Sequence, residues 1–201
     1  MIRVLALTAT MAASLFAPAA LAAEKTAFFA GGCFWCIEKD FEHVAGVTDV
    51  VSGYSGGTNE NPTYKNHVSA GHREVVKITY DDTKTDYATL LNIFFRSVDP
   101  TDGGGQFCDR GHSYSTAVYA LDGEQLEAAQ KAKIEASEVL KKDVATEIAM
   151  AQPFTEAEGY HQNYYKKNPI RYNYYRRACG RDGRVKALWG DMAYKGIDKT
   201  S

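Results

Sequence analysis

Residues 26–29 form a short apolar run that passes through Ala30-Gly31-Gly32 straight into Cys33, after which Phe34, Ile37, Phe41 and Val44 recur at intervals of three and four. That spacing places the last four on one stripe of a helix, so a strand has to become a helix within three residues. Cys33 then falls at the helix N-terminus, where a thiolate is stabilised by roughly 0.3–1 kcal/mol. The two glycines before it imply a close approach of something to the backbone. The plain alternative is that Cys33 is a buried small hydrophobe, the usual fate of a free cysteine.

Residues 47–51 read as a second strand. It is closed by the turn-rich Ser52-Gly53-Tyr54-Ser55-Gly56-Gly57 and a polar loop running through Asn61-Pro62-Thr63-Tyr64 to Gly71-His72. A loop of about twenty residues is usually functional or disordered, and its tyrosines and Asn-Pro turn argue for an ordered, functional one. Over 74–80 the residues alternate, with Glu74, Val76, Ile78 and Tyr80 on one face and Val75, Lys77 and Thr79 on the other. Tyr87, Leu90, Leu91, Phe94 and Val98 mark an amphipathic helix ahead of the glycine-rich 102–105.

A strand is expected over 115–121. Asp122 with Gln125 then makes a capping-box-like start for a helix bearing Ala128, Ala132, Ala136 and Leu140. A last strand at 146–150 and a helix over 156–167 follow, and the tail from Asn168 reads as aromatic, basic and irregular. The order is mixed, so the fold expected is α+β: a two-layer sandwich with helices packed on a mixed sheet.

The first 22 residues differ from the rest. Arg3 is their only charge, residues 4–21 are almost wholly apolar or small, and Ala20-Leu21-Ala22 supplies a cleavage pattern. This predicts a secretory signal peptide over 1–22 and one domain over 23–201 that is secreted or periplasmic, free of the membrane once the leader is removed. The rival reading is a membrane anchor, since about 18 apolar residues span a bilayer. Without Arg3 the chain carries 22 basic against 25 acidic residues, a net charge of −3, which makes nucleic acid an unsuitable principal partner. Basic residues do gather at Lys166, Lys167, Arg171, Arg176, Arg177, Arg181, Arg184 and Lys186, and a solvated face accounts for them. Four sparse cysteines, Cys33, Cys36, Cys108 and Cys179, do not make a disulfide scaffold, although export permits structural disulfides.

Several residues beside Cys33 are suited to chemistry. Cys36 is one helical turn on, either a resolving thiol or a core residue. Cys-x-x-Cys also occurs in zinc sites, but no second pair completes one. Trp35 is the better candidate for an apolar pocket wall, because Phe34 fits the core stripe. Glu74 ends an apolar row, and burial there would favour its neutral form; a strand-end glutamate can equally turn into solvent. Tyr64 and Tyr114 each sit in turn-rich, polar surroundings, while His72, His112 and His161 lack regular metal spacing and read as structural.

At these residues the chain resembles the A-type peptide methionine sulfoxide reductases. Gly-Cys-Phe-Trp-Cys-x-Glu at 32–38 is similar to that family's signature in its two-cysteine form. Gly-Tyr-x-Gly-Gly at 53–57, Asn-Pro-Thr-Tyr at 61–64, Gly-His-x-Glu-Val-Val at 71–76, Asp-Arg-Gly-x-x-Tyr at 109–114 and Tyr-His-Gln-x-Tyr-Tyr-x-Lys-Asn-Pro at 160–169 follow in the family's order. The resemblance implies a ferredoxin-like core and reduction of methionine-S-sulfoxide, free or in oxidised proteins. It casts Cys33 as nucleophile and Glu74 as proton donor, assisted by Tyr64 and Tyr114. Phe34 and Trp35 would hold the methyl group and Asp109 would order the polar side. Cys33 would be left as a sulfenic acid.

Neither a metal nor a nicotinamide cofactor is needed for this chemistry. Proximity favours Cys36 as the resolving thiol, with a thioredoxin-like dithiol protein as reductant. Many better-known members carry glycine in place of Cys36 and resolve with cysteines near the C-terminus. Cys108 and Cys179 are thus either further resolving thiols or halves of a structural disulfide. The rival activity is thioredoxin-like dithiol-disulfide exchange, and the non-enzymatic rival is a polyanion-binding module braced by cysteines. A monomer is expected.

Overall fold

Strand β1 (Glu24–Ala30) runs through the middle of a six-stranded sheet, antiparallel to β3 (Arg73–Asp81) on one side and to β6 (Ala117–Ala120) on the other. These strands belong to a computed structural model that describes residues 23–199; the expected leader, residues 1–22, lies outside the described residues. The sheet continues through β2 (Val47–Ser55) to β8 (Phe154–Glu156) at one edge and ends at β7 (Glu147–Met150) at the other, in the order β7-β6-β1-β3-β2-β8. Helix α1 (Phe34–Glu42) joins β1 to β2, and α2 (Tyr87–Phe95) follows β3. The order β6-β1-β3-β2 is the antiparallel core of a ferredoxin-like fold. The parallel pairing of β6 with β7 makes the sheet mixed.

Strand parity fixes which face is covered. Ala27 and Phe29 of β1 pair with Ile78 and Val76 of β3, and this row packs on Phe34, Ile37 and Phe41 of α1 and on Leu90, Leu91 and Phe94 of α2. Each of the four phenylalanines in this layer contributes roughly 1.5–3 kcal/mol by burial. The Asp122 side chain accepts from the Gln125 amide, as the capping pattern predicts, and starts α3 (Gly123–Leu140), whose Ala129, Ala132 and Ala136 are buried. No helix among the described residues is long and apolar enough to cross a membrane.

The C-terminal part departs from expectation. Residues 154–156 are a strand, 157–158 are irregular and 159–163 are turns, so only α4 (Tyr164–Lys167) remains of the helix expected over 156–167. The tail is helical instead of irregular: α5 (Pro169–Ala178) and α6 (Arg181–Trp189) fold back towards the start of α1. Their buried side chains include Arg176 and Arg181, so the basic cluster is only partly a solvated face. These helices bury the guanidinium groups of Arg176 and Arg181 together with Tyr172, Val185 and Trp189, so charge interrupts the apolar stripe.

Candidate active site

The double glycine carries Cys33. Gly32 has φ +84°, and a Cβ there would lie 2.6 Å from Cβ of Gln106; a Cβ on Gly31 would lie 2.5 Å from Ile37. The close approach anticipated from sequence is therefore made by the protein's own core. The buried Arg181 guanidinium reaches in from α6, donating to the Gly31 carbonyl and to the Ser97 carbonyl, each at 3.1 Å. Cys33 occupies the N-cap position of α1, and Cys36, whose amide donates to the Cys33 carbonyl at 3.1 Å, lies one turn on. Both are free thiols, 6% and 2% exposed.

Their electrostatics differ from the sequence expectation of a Cys33 thiolate. Burial, and donation of its S–H to Cys36, push the Cys33 thiol well above its ordinary range. Cys36 falls to about 7, because it receives that hydrogen bond and because Arg181 and Arg176 outweigh part of its own burial. The negative charge of the pair thus resides on the Cys36 side. Arg176 reaches Asp40 Oδ1 at 2.8 Å and Asp182 Oδ1 at 2.7 Å and donates to the Tyr172 hydroxyl at 3.0 Å. These guanidinium groups come from the tail, which is why the region around Cys33 alone could not reveal them.

Glu74 stands where its parity put it, in the buried row and not in solvent. Its Oε2 accepts from the Phe34 amide, the first of α1, at 2.9 Å. Burial raises its pKa to about 8 against that hydrogen bond, and the charges of Asp109 and Cys36 push the same way. Near neutrality it is a carboxylic acid. The Tyr64 and Tyr114 hydroxyls are also raised by burial, Tyr64 to about 12, and both feel the charges of Glu74, Asp109 and Cys33. Asp109, on the small hairpin β4 (Gly105–Gln106) and β5 (Asp109–Arg110), accepts from the Tyr175 hydroxyl of α5.

Trp35 forms the floor of an open aromatic pocket with Tyr64, Tyr160, His161, Tyr164 and Tyr175. It stacks on Tyr164 with centroids 3.8 Å apart and donates its indole N–H to His161 Nδ1 at 3.0 Å. Phe34 is buried among Tyr54, Trp35 and His161, belonging to the core as its stripe position indicated. His72 pins the long loop by accepting from the Gly57 amide at 3.1 Å, a structural role in keeping with its sequence reading. Glu158 bridges the Tyr54 hydroxyl, at 2.9 Å, and the Tyr64 amide, at 3.0 Å.

The sequence reading passed over His67, Tyr164, Tyr175 and the two arginines. For His67 a signal existed: it stands three residues after Tyr64, one turn away in a turn-rich segment. Cys108 and Cys179 are bonded to each other, tying the Asp109 hairpin to the end of α5.

A family model described as peptide methionine sulfoxide reductase matches residues 25–193. Peptide methionine sulfoxide reductase MsrA 2 of Rhizobium meliloti is 50% identical over 183 residues, 91% of this chain and 92% of its own length. MsrA 2 of Caulobacter vibrioides is 50% identical over 194 residues, 94% and 98% of the two chains. Among solved structures, methionine sulfoxide reductase A of Corynebacterium diphtheriae aligns with a TM-score of 0.68 at 30% identity, over 73% of this chain and 76% of that one. With a thiol pair, a neutral carboxylic acid and an aromatic pocket meeting at the start of α1, the chain belongs to the peptide methionine sulfoxide reductases, thiol-dependent oxidoreductases that return methionine sulfoxide to methionine.

Proposed function

We propose that Cys33 attacks the sulfur of methionine-S-sulfoxide while Glu74 gives its hydrogen to the departing oxygen. The observation that carries this reading is the Phe34 amide on Glu74 Oε2, which fixes a neutral acid to the residue next to the nucleophile. A sulfoxide oxygen leaves only when protonated, and a carboxylate would repel it. Tyr64 and Tyr114, held as phenols, supply further donors to that oxygen, and Asp109 orders Tyr175 beside it. The methyl group rests against Trp35, with Phe34 closing the pocket from the core side.

Proton and electron balance follow from the pair. As Cys33 Sγ bonds to the substrate sulfur, its proton passes along the existing hydrogen bond to the Cys36 thiolate. The sulfoxide sulfur gains two electrons and leaves as methionine, and Cys33 is oxidised to the sulfenic acid. Cys36 then attacks the Cys33 sulfur, the S–O bond breaks, and the hydroxyl departs as water with the Cys36 proton. A thioredoxin-like dithiol protein reduces the Cys33–Cys36 disulfide and is itself oxidised to a disulfide.

The match to the sulfoxide reductase family over residues 25–193 disfavours the rival reading as a general dithiol-disulfide exchanger. The leader-like residues 1–22 and the Cys108–Cys179 disulfide support a secreted or periplasmic enzyme, and the supply of every active-site group by one chain supports a monomer.

The test is one turnover of the full chain on methionine-S-sulfoxide without reductant, followed by peptide mapping. One methionine per enzyme, a new Cys33–Cys36 disulfide and an unchanged Cys108–Cys179 are expected. Turnover by Cys33→Ser, or a new bond to Cys108 or Cys179, overturns the assignment.

A further inference from the structure

His67 is buried beside the acid and takes no part in the chemistry above. Its ring is 1% exposed, and Nε2 has no hydrogen-bond partner, an expensive arrangement for a buried imidazole. The other ring nitrogen settles the tautomer. Nδ1 lies 3.0 Å from the Tyr64 carbonyl, which can only accept, so Nδ1 carries the hydrogen and Nε2 presents a bare lone pair. That lone pair faces Glu74 Oε1 at 3.7 Å. The second carboxyl oxygen is occupied by the Phe34 amide, so Oε1 is the oxygen left to carry the hydrogen of the neutral acid.

The ring is held in this orientation. It stacks on Tyr54 with centroids 4.9 Å apart and on Tyr64 at 5.7 Å, and meets Tyr114 edge-on at 6.4 Å. Two of those rings are the phenols assigned to the sulfoxide oxygen. His161, also buried, has the opposite polarity: its Nδ1 accepts from Trp35, so its hydrogen is on Nε2. Of the two buried imidazoles beside the pocket, only His67 offers a free acceptor to the acid.

We propose that His67 is a positioning residue for the acid: in its Nδ1–H form its Nε2 accepts a hydrogen bond from the protonated Glu74 Oε1, keeping Glu74 protonated between turnovers until a sulfoxide oxygen claims that hydrogen. The inference rests on the reading of Glu74 as proton donor. A 3.7 Å separation shortens to a hydrogen bond with a shift of under about 1 Å, and catalytic contacts are commonly loose before substrate binds. Burial holds His67 neutral, as the role requires, because an imidazolium would favour the carboxylate instead. The other titratable groups around the two side chains are Asp109, Cys33 and Cys36 near Glu74, His72, His161 and Glu158 near His67, and the hydroxyls of Tyr54, Tyr64 and Tyr114.

The test is the pH dependence of kcat/KM for methionine-S-sulfoxide with dithiothreitol as reductant. In His67→Phe, which keeps the stacked ring and removes the lone pair, the basic limb should move about one pH unit towards acid. The loss relative to wild type should then be about sixfold larger at pH 8.5 than at pH 6.5. His67→Gln, whose amide oxygen can accept the hydrogen, should return the limb towards its original place. An unmoved limb in His67→Phe, whether activity is unchanged or uniformly lowered, overturns the proposal. Should the Phe variant fail to fold, nitrogen NMR of the wild-type chain decides: a neutral Nδ1–H ring whose Nε2 signal moves in Glu74→Gln supports it, and an Nε2–H ring or an imidazolium overturns it. Full activity in Glu74→Gln would instead refute the underlying assignment of the acid.

Discussion

Glu74 and Cys36 both neighbour Cys33, and the two regions that surround them tune them by opposite means. Glu74 sits in the ferredoxin-like half, on β3, where its charge is disfavoured chiefly by the absence of water, so it stays protonated to about pH 8. Cys36 is just as buried, yet falls to about 7 because a neighbouring S–H and two guanidinium groups of the C-terminal helices favour its anion. Burial alone therefore does not predict the charge of a group in this site; the supply of partners does. The acid side is built by exclusion and the thiol side by compensation.

The largest effect should come from removing the acid. Glu74→Gln is expected to lower kcat about 10²- to 10⁴-fold with methionine-S-sulfoxide as substrate, and a drop of less than tenfold would break the acid side of the comparison. Replacing Cys36 separates the two sides. Cys36→Ser should still release methionine once per enzyme, more slowly for want of a proton acceptor, and then stop; steady turnover with a dithiol reductant would show that another thiol resolves.

Crosslinking of the C-terminal region to the hairpin is measurable as stability. Cys108 and Cys179 are 71 residues apart, and closing a loop of that length stabilises the folded chain by about 4 kcal/mol in the chain-entropy description. Replacing both by serine should lower the unfolding free energy by up to that amount, and a change below about 1 kcal/mol would mean that the arginine network anchors the helices unaided.

A smaller effect of opposite sign is expected at Glu74. Its folded-state pKa is raised from 4.5 to about 8, so above about pH 4.5 the unfolded chain releases a proton that the folded chain retains. Stability therefore declines as pH rises through that window. Buried Glu38, raised to about 7 by burial, acts in the same direction. Glu74→Gln should consequently be more stable than wild type at pH 8, on the order of 1–4 kcal/mol, while nearly inactive. A denaturant titration showing no gain would argue against a neutral acid. The smallest effect concerns the pocket: His161→Phe frees the Trp35 indole and should raise KM several-fold with kcat little changed, as steady-state kinetics would show.

The two regions also differed in how far they could be read from sequence. The acid's setting rests on local periodicity: the alternation over 74–80 and the three-and-four spacing from Phe34 each declare a short-range rule that the structure obeys. The thiol's setting depends on long-range encounters. Arg181 reaches Gly31 across 150 residues and Arg176 reaches Asp40 across 136, and no spacing rule announces such a meeting. Punctuation of the tail was present in Pro169 at the first turn of α5 and in Gly180, with φ +70°, between the two helices. It was masked because those helices bury arginines among their apolar residues, which breaks up the stripe.

The shared proton of the cysteine pair bears on the enzyme's own survival. Peroxides that oxidise methionine also attack thiolates, and an exposed low-pKa cysteine would be carried to the sulfinic acid before it met its substrate. Here burial disfavours the Cys33 thiolate, and both sulfurs are almost wholly enclosed, Cys36 more deeply than Cys33. The reactive centre is kept in reserve, shielded from the oxidants whose damage it reverses.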